Sequence, residues 1–286
     1  MSLGVTGANA ADALTAAIDS FKAAGIDTPR LDAEVLLSSL AGIDRASLVV
    51  DREMTLEPAA ARAFSEAVRR RIRREPVAYI LGHRGFRHID LVVDRRVLIP
   101  RPETEMLVEL ALEVQPKNVL EIGTGSGAIS LAVADELPEV RITATDISEG
   151  AIEVAVANAV RLGLADRIEF LLGTVPPGPV AFDLILANLP YVPDSDGLPP
   201  EVGQWEPAGA LFGGPDGTVV IAEVLAGLGK AGVSAPVIGL EVGQGQGERV
   251  AGLIREGGWP RTEVRLDLAG IDRVVTGRRP LLPEPE

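Results

Sequence analysis

EIGTGSGAIS, residues 121–130, decides the fold of this 286-residue chain. Before it, NVLEIG is a short apolar run that reads as a buried strand. After it, SGAISLAVADEL places apolar residues at helical spacing. Gly123, Gly125 and Gly127 allow a sharp turn between the two and a close approach of a ligand to the backbone. The helix start behind them offers N–H groups. The strand-then-helix alternation continues outward. RITATDI reads as a strand and EGAIEVAVANAVRLG as a helix; RIEFLL and FDLILAN read as strands. TVVIAEVLAGLGK, APVIGLEVG and ERVAGLIREGG continue as helix, strand, helix, and TEVRLDLAGIDRVVTGR closes as a strand pair. Alternation of this kind predicts an α/β fold with a mostly parallel sheet, helices on both faces and a C-terminal antiparallel strand pair.

Upstream the pattern differs. ADALTAAIDSFKAAGI, PRLDAEVLLSSLAGI and EPAAARAFSEAVRRRIRRE read as three helices, the second opening on Pro29 and stopping at Gly42. EPVAYILG breaks the helical pattern, and FRHIDLVVDRRVLI alternates like a short hairpin. RPETEMLVELALEV then starts a helix on Pro102 with two glutamates in its first turn, where the helix dipole favours them. We expect a small helical domain over 1–76, a linker and hairpin over 77–100, and the α/β domain over 101–286. Gly- and Pro-rich stretches at 172–179 and 194–217 are long loops of the kind that carry function.

Composition narrows the chemistry. There is no cysteine, so neither disulfides nor a thiolate nucleophile. His83 and His88 lack the partners of a zinc site, and no metal is expected. Residues 1–100 carry 14 Lys and Arg against 13 Asp and Glu, whereas 101–286 carry 13 against 28. So acidic an α/β part argues against direct nucleic-acid binding. RRRIRR, 69–74, is the one basic cluster, either a solvated helix face or a docking patch. No apolar run reaches a membrane span, and MSLGVTGANAADAL lacks the pattern of a secretory leader, so the expectation is a cytoplasmic protein.

The sheet edge that holds the glycine turn carries two more signals. Asp146 in TDIS ends the next strand, 23 residues after Gly123, where an acid can accept both hydroxyls of an adenosine ribose. Ser148 is the better helix cap, which leaves Asp146 for a ligand. The glycine turn and Asp146 fit NAD and S-adenosylmethionine equally. NLPYV, 188–192, separates them. Asn188 can accept through its side-chain oxygen, and Pro190 holds Leu189 extended so that its carbonyl has a fixed direction. Two fixed acceptors grip the two N–H bonds of a planar NH2 group, and Tyr191 could pack over its face.

With these motifs the chain resembles a class I S-adenosylmethionine-dependent methyltransferase of Rossmann-like fold. More closely it resembles the HemK/PrmC family of peptide chain release factor glutamine N5-methyltransferases. The resemblance runs through TPRLDAEVLL (28–37), EPVAYILG (75–82), VLIPRPETE (97–105), EIGTGSGAISLA (121–132), NLPYV and EVGQWEPAGALFGGPDG (201–217). It implies S-adenosyl-L-methionine as cofactor, S-adenosyl-L-homocysteine as product, and release factors as protein substrates of a monomeric enzyme. It implies that Asn188, Leu189, Pro190 and Tyr191 form the catalytic motif. Glu121, Gly123, Thr124, Gly125, Ser126, Gly127, Asp146, Ile147, Thr174 and Asn188 are carried over as the cofactor site. The family usually has proline where this chain has Leu189, which still supplies a backbone carbonyl. After the third strand it often has Asp and an aromatic, where this chain has Gly173 and Thr174, leaving a side-chain contact there without a counterpart. Alternatives with a similar motif are a glutamine methyltransferase acting on a large-subunit ribosomal protein and an adenine N6-methyltransferase. An NAD-dependent dehydrogenase or a non-catalytic nucleotide-binding module is the alternative of another class.

Overall fold

A computed structural model describes residues 9–50 and 54–280. The leader reading of the first residues therefore falls largely outside the described chain. Two compact units are present. One comprises the chain up to residue 83 together with 198–205; the other comprises 84–197 and the chain from 206 onward.

The first unit is helical: α1 (Ala10–Ala23), α2 (Pro29–Ala41), α3 (Arg45–Val50), α4 (Pro58–Ile72) and α5 (Val77–Leu81). Asn9 caps α1 by accepting the Asp12 N–H at 2.8 Å, and Gly42 ends α2 in the left-handed conformation. The break expected at EPVAYILG is α5, a short helix set off by Pro76 and closed by Gly82. Phe21, Leu36, Leu37 and Phe64 are buried in its core. The arginine cluster is mostly consumed inside this unit. Arg71 is buried, binding Asp32 at 2.7 Å and Glu201 at 2.9 Å. Arg74 takes the other Glu201 oxygen at 2.8 Å, and Arg70 pairs with Glu75 at 2.6 Å. RRRIRR is thus not a fully solvated face: Arg71 is buried, while Arg69 and Arg73 are exposed. Its inward arginines bind the segment 198–205 to the helices, and removing one partner of so buried a network typically costs about 3–5 kcal/mol.

The second unit starts at Arg84, within the hairpin of β1 (His83–Phe86) and β2 (Ile89–Val92), and continues with a 3-10 turn at Pro102–Thr104 and α6 (Glu105–Val114). The α/β succession is β3 (Asn118–Ile122), α7 (Ala128–Glu136), β4 (Arg141–Asp146), α8 (Glu149–Leu162), β5 (Ile168–Leu172) and β6 (Leu184–Ala187). After α9 (Pro200–Gly203), which belongs to the first unit, come α10 (Val219–Ala231), β7 (Val237–Glu241), α11 (Gly247–Glu256), β8 (Arg261–Leu266) and β9 (Asp272–Arg278). The seven-stranded sheet has the order β5-β4-β3-β6-β7-β9-β8. Its first five strands are parallel, and β9 runs antiparallel to both β7 and β8. β6 is buried at all four positions, as a central strand covered on both faces must be.

Strand order reverses at β3, which pairs with β4 on one side and β6 on the other. Ile122 stands in register with Thr145 and with Ala187. The next residues along these three strands are Gly123, Asp146 and Asn188. The sheet's switch point therefore puts the glycine turn, the acid and NLPYV in one row, at the edge where open α/β sheets take ligands.

Candidate active site

A cavity of about 810 Å³ opens over that row. Glu121, Gly123, Thr124, Gly125, Ser126, Asp146, Ile147, Thr174, Asn188, Leu189 and Pro190 line it, together with Arg101 and Thr104. Two of the expected site residues do not. Gly127 heads α7 from behind, and a Cβ there would fall 2.8 Å from Leu131 Cδ1 and 3.4 Å from the Ala155 Cβ. It lets the helix pack closely and is not part of the cavity wall. Tyr191 points the other way, its hydroxyl donating to Glu241 Oε1 at 3.4 Å. Its ring is not at the cavity wall.

Asp146 is more engaged than a ligand acid with no other duty. Its Oδ2 accepts the Gly125 N–H and its Oδ1 the Ser148 N–H, both at 2.9 Å. Each oxygen keeps a lone pair for a ribose hydroxyl, and the backbone bonds aim the carboxylate. Ser148 does cap α8, accepting the Ala151 N–H at 3.2 Å. Ile147 beside it is 71% exposed, an apolar surface facing open space at the cavity. Thr174 lines the wall with its carbonyl held by the Thr145 hydroxyl at 2.9 Å, so its position is set by main chain.

Glu121 lies beneath the glycine turn, 1% exposed. Its Oε2 accepts the Thr124 hydroxyl at 2.7 Å and the Ser130 N–H at 3.2 Å. One of the N–H groups expected to await a ligand at the start of α7 is therefore already used. Burial raises the Glu121 pKa to about 7, against those two hydrogen bonds and with help from the Asp146 charge.

At NLPYV, Asn188 donates from Nδ2 to Thr104 Oγ1 at 3.0 Å. That turns Oδ1 away from Thr104, and Oδ1 accepts no hydrogen bond from the described residues. The Leu189 carbonyl likewise accepts none. Its side chain is buried in the core beside Ile122 and Ile185, which gives leucine a packing reason to stand there. Two neighbouring acceptors without protein partners thus border a cavity whose other stations are carboxylates.

Comparisons with known proteins bear on what such a site serves. A family model for the PrmC N-terminal domain matches residues 12–82, and one for a methyltransferase domain matches 113–205. A release factor glutamine methyltransferase of Caulobacter vibrioides is 40% identical over 285 residues, covering 96% of this chain and 97% of the relative. One of Moorella thermoacetica is 42% identical over 278 residues, covering 93% and 97%. The chain belongs to the release factor glutamine methyltransferase family. Among solved structures, the catalytic domain of human METTL16 in complex with an RNA hairpin aligns with a TM-score of 0.53 at 11% identity, covering 79% of this chain and 83% of that one. At that identity the likeness is one of fold, and it is the class I methyltransferase fold.

The family's motifs outside the glycine turn now have physical tasks. Glu206, from QWEP, is buried and accepts the Ile99 N–H at 3.0 Å and an Arg101 N–H at 2.5 Å, pinning the IPRP segment at the cavity rim. Thr104, from RPETE, is the partner of Asn188. Gln246 donates to the Tyr191 carbonyl at 2.8 Å and accepts the Gly243 N–H at 2.9 Å. Asn158 on α8 brackets Val92 through both its N–H and C=O, and donates to the Ser126 carbonyl at 3.0 Å. Periodicity marks Asn158 only as a polar residue on a helix, and only its partners, distant in sequence, reveal its task. Glu241 reads as the polar end of an apolar strand. A charged residue there, on a strand buried at every position, is the signal that could have found it.

Proposed function

We propose that this protein transfers a methyl group from S-adenosyl-L-methionine to the side-chain amide nitrogen (N5) of the glutamine in the Gly-Gly-Gln motif of peptide chain release factors, in the cytoplasm. The observation that carries this reading is the pair of unpartnered acceptors, Asn188 Oδ1 and the Leu189 carbonyl, at the switch-point cavity.

The cavity suits that cofactor better than NAD. A dinucleotide sets its pyrophosphate at the helix start behind the glycine turn. Here the carboxyl of Glu121 occupies the N–H of Ser130 and adds negative charge under the turn. A ligand carrying an ammonium and a sulfonium meets Glu121 favourably, while Asp146 takes the ribose and Ile147 offers an apolar face to the base. When bound, the cofactor supplies an electrophilic methyl group; the protein's part is positioning. Asn188 Oδ1 and the Leu189 carbonyl accept the two N–H bonds of the substrate amide and aim its nitrogen at the methyl carbon. An amide nitrogen is a poor nucleophile, because its lone pair is shared with the carbonyl. Two acceptors on its protons favour the positive charge that grows on nitrogen as the C–N bond forms. The nitrogen then gives up one proton to water, leaving N5-methylglutamine and S-adenosyl-L-homocysteine. The helical unit, matched by the PrmC N-terminal model, holds the body of the release factor.

Incubation with a labelled methyl donor and purified release factor, followed by mass spectrometry of the modified residue, tests the reading. Label on the Gly-Gly-Gln glutamine is expected. Label on adenine or on a ribosomal protein would overturn it.

Two further results are expected. Asp146→Ala should weaken cofactor affinity about ten- to a hundredfold, since it removes acceptors for two hydroxyls. Equilibrium binding by calorimetry measures this, and an unchanged constant would remove the ribose role. Glu121, with its pKa at about 7, is partly protonated at neutral pH. A cation arriving beside it lowers that pKa, so binding at neutral pH should release a fraction of a proton. Calorimetry in buffers of different ionisation enthalpy reads the release directly, and Glu121→Gln should abolish it.

A further inference from the structure

The sulfur of S-adenosyl-L-methionine joins three branches: the ribose, the methyl group, and a chain that ends in an ammonium and a carboxylate. On the reading above, Asp146 at the end of β4 serves the ribose, and Asn188 and Leu189 after β6 face the methyl. The third branch remains, for the part of the wall built by Glu121 on β3 and by the turn Arg101–Thr104. Glu121 suits the ammonium. A carboxylate entering a cavity that already holds Glu121 and Asp146 needs a cation of its own.

Two guanidiniums line the cavity, Arg96 and Arg101, and no lysine among the described residues does. Arg96 stands at the far end and is already engaged. Its stem lies against the start of α8, where a Cβ on Gly150 would come 3.2 Å from Arg96 Cδ. Its head is taken by Asp94 at 2.7 Å and by Glu153 at 2.8 Å. Arg101 stands on the Asn188 side. Its carbonyl accepts the Thr104 N–H at 3.2 Å, and Thr104 Oγ1 accepts from Asn188 at 3.0 Å. One N–H of its guanidinium goes to Glu206 Oε1 at 2.5 Å. Glu206 is buried, and its other oxygen is filled by the Ile99 N–H, so the anchor is fixed. Nε and Nη1 of Arg101 bond nothing among the described residues. The cavity wall thus carries a held guanidinium with most of its donors unused.

Resting on the cofactor reading above, we propose that Arg101 binds the carboxylate of S-adenosyl-L-methionine, with Glu206 holding the guanidinium in place. A guanidinium offers paired N–H bonds that match the two oxygens of a carboxylate, and it stays charged throughout the working pH range. The charges of the cavity then repeat those of the ligand, with Asp146 for the hydroxyls, Glu121 for the ammonium and Arg101 for the carboxylate. Arg101 accordingly selects the complete cofactor over adenosine sulfonium compounds that lack the acid.

Calorimetry on the full-length protein tests this by comparing S-adenosyl-L-methionine with its decarboxylated form, which keeps the adenosine, the sulfonium and the ammonium. The wild type should bind the complete cofactor about tenfold or more tightly. In Arg101→Met that preference should fall to within about twofold. Affinity for the decarboxylated ligand should stay the same or improve, because the guanidinium repels its uncompensated positive charge. A merely structural role would weaken both ligands equally, and that result would overturn the proposal. So would a preference kept intact in Arg101→Met; a raised KM for release factor beside it would give Arg101 to the protein substrate instead. Arg101→Met leaves the buried Glu206 carboxylate without its cation. If that variant folds poorly, adding Arg101→Met to a Glu206→Gln background carries the test, with the same loss of preference expected relative to Glu206→Gln alone. If the wild type binds neither ligand, the cofactor reading falls and this one with it. If it binds both as expected but methylates no glutamine, only the substrate reading falls.

Discussion

Asn188→Ala is expected to lower turnover about a hundred- to a thousandfold while leaving S-adenosyl-L-methionine affinity within about twofold. The side chain projects from the end of β6, the strand beside the glycine turn, and its one protein bond goes to Thr104. The hydrogen bonds that hold Asp146, Glu121 and the glycine turn do not involve the Asn188 side chain. Truncation therefore leaves the cofactor walls standing and removes one of two acceptors on the reacting amide. The remaining Leu189 carbonyl can hold a single N–H, and the nitrogen is then free to swing off the line of attack. The two acceptors do their work where charge develops, so the loss belongs to kcat more than to KM. Single-turnover kinetics with a release factor, alongside calorimetry with the cofactor, separate the two constants. Turnover like that of wild type would remove the clamp, and a parallel collapse of cofactor affinity would make Asn188 a structural residue instead.

What could be read from the sequence, and what could not, follows from the range of the interactions involved. NVLEIG, the glycine turn and SGAISLAVADEL declare themselves locally, because strand, turn and helix each have a short-range signature, and the row Gly123, Asp146, Asn188 follows from their alternation. The roles within the row are less local. Gly127 fits a ligand-binding pattern, yet its need is space against Leu131 and Ala155, which only the packed helices create. Tyr191 reads as a ring for stacking, but Glu241, 50 residues away, claims its hydroxyl. RRRIRR reads as a surface charge run because nothing nearby in sequence shows that Asp32 and Glu201 will meet Arg71 in the interior. For Tyr191 and Arg71, a partner distant in sequence takes a group that the local pattern leaves free.

The loop FGGPDG gives the second large effect, by the same long-range logic. Gly217 has φ +74, in the left-handed region that costs an L side chain about 1 kcal/mol or more. Space is the harder constraint. A Cβ at Gly217 would collide with the Tyr191 carbonyl oxygen and stand 2.6 Å from Gln246 Nε2 and 2.9 Å from the Tyr191 carbonyl carbon. The Gln246 amide could swing aside, but the Tyr191 backbone cannot move alone. Val192 is bonded in both directions to this loop, its N–H to Leu211 and its C=O accepting from Gly213, each at 2.9 Å. Gly217→Ala must therefore displace NLPYV itself or unseat the loop that braces it. Either adjustment should cost about 3 kcal/mol or more, in the range of overpacking and backbone strain combined. For the release-factor reaction the consequence is larger than for folding, because a shift of about 1 Å in Asn188 and Leu189 is enough to cost on the order of a hundredfold in rate. Thermal melting should show a drop of several degrees, and kcat should fall about a hundredfold with cofactor affinity nearly kept. Gly245→Ala, at a left-handed position with nothing within 4 Å of its Cβ, is the control for strain without collision, and its kcat should stay near that of wild type. Equal losses in both variants would show that backbone conformation, not contact with Tyr191, makes the glycine necessary.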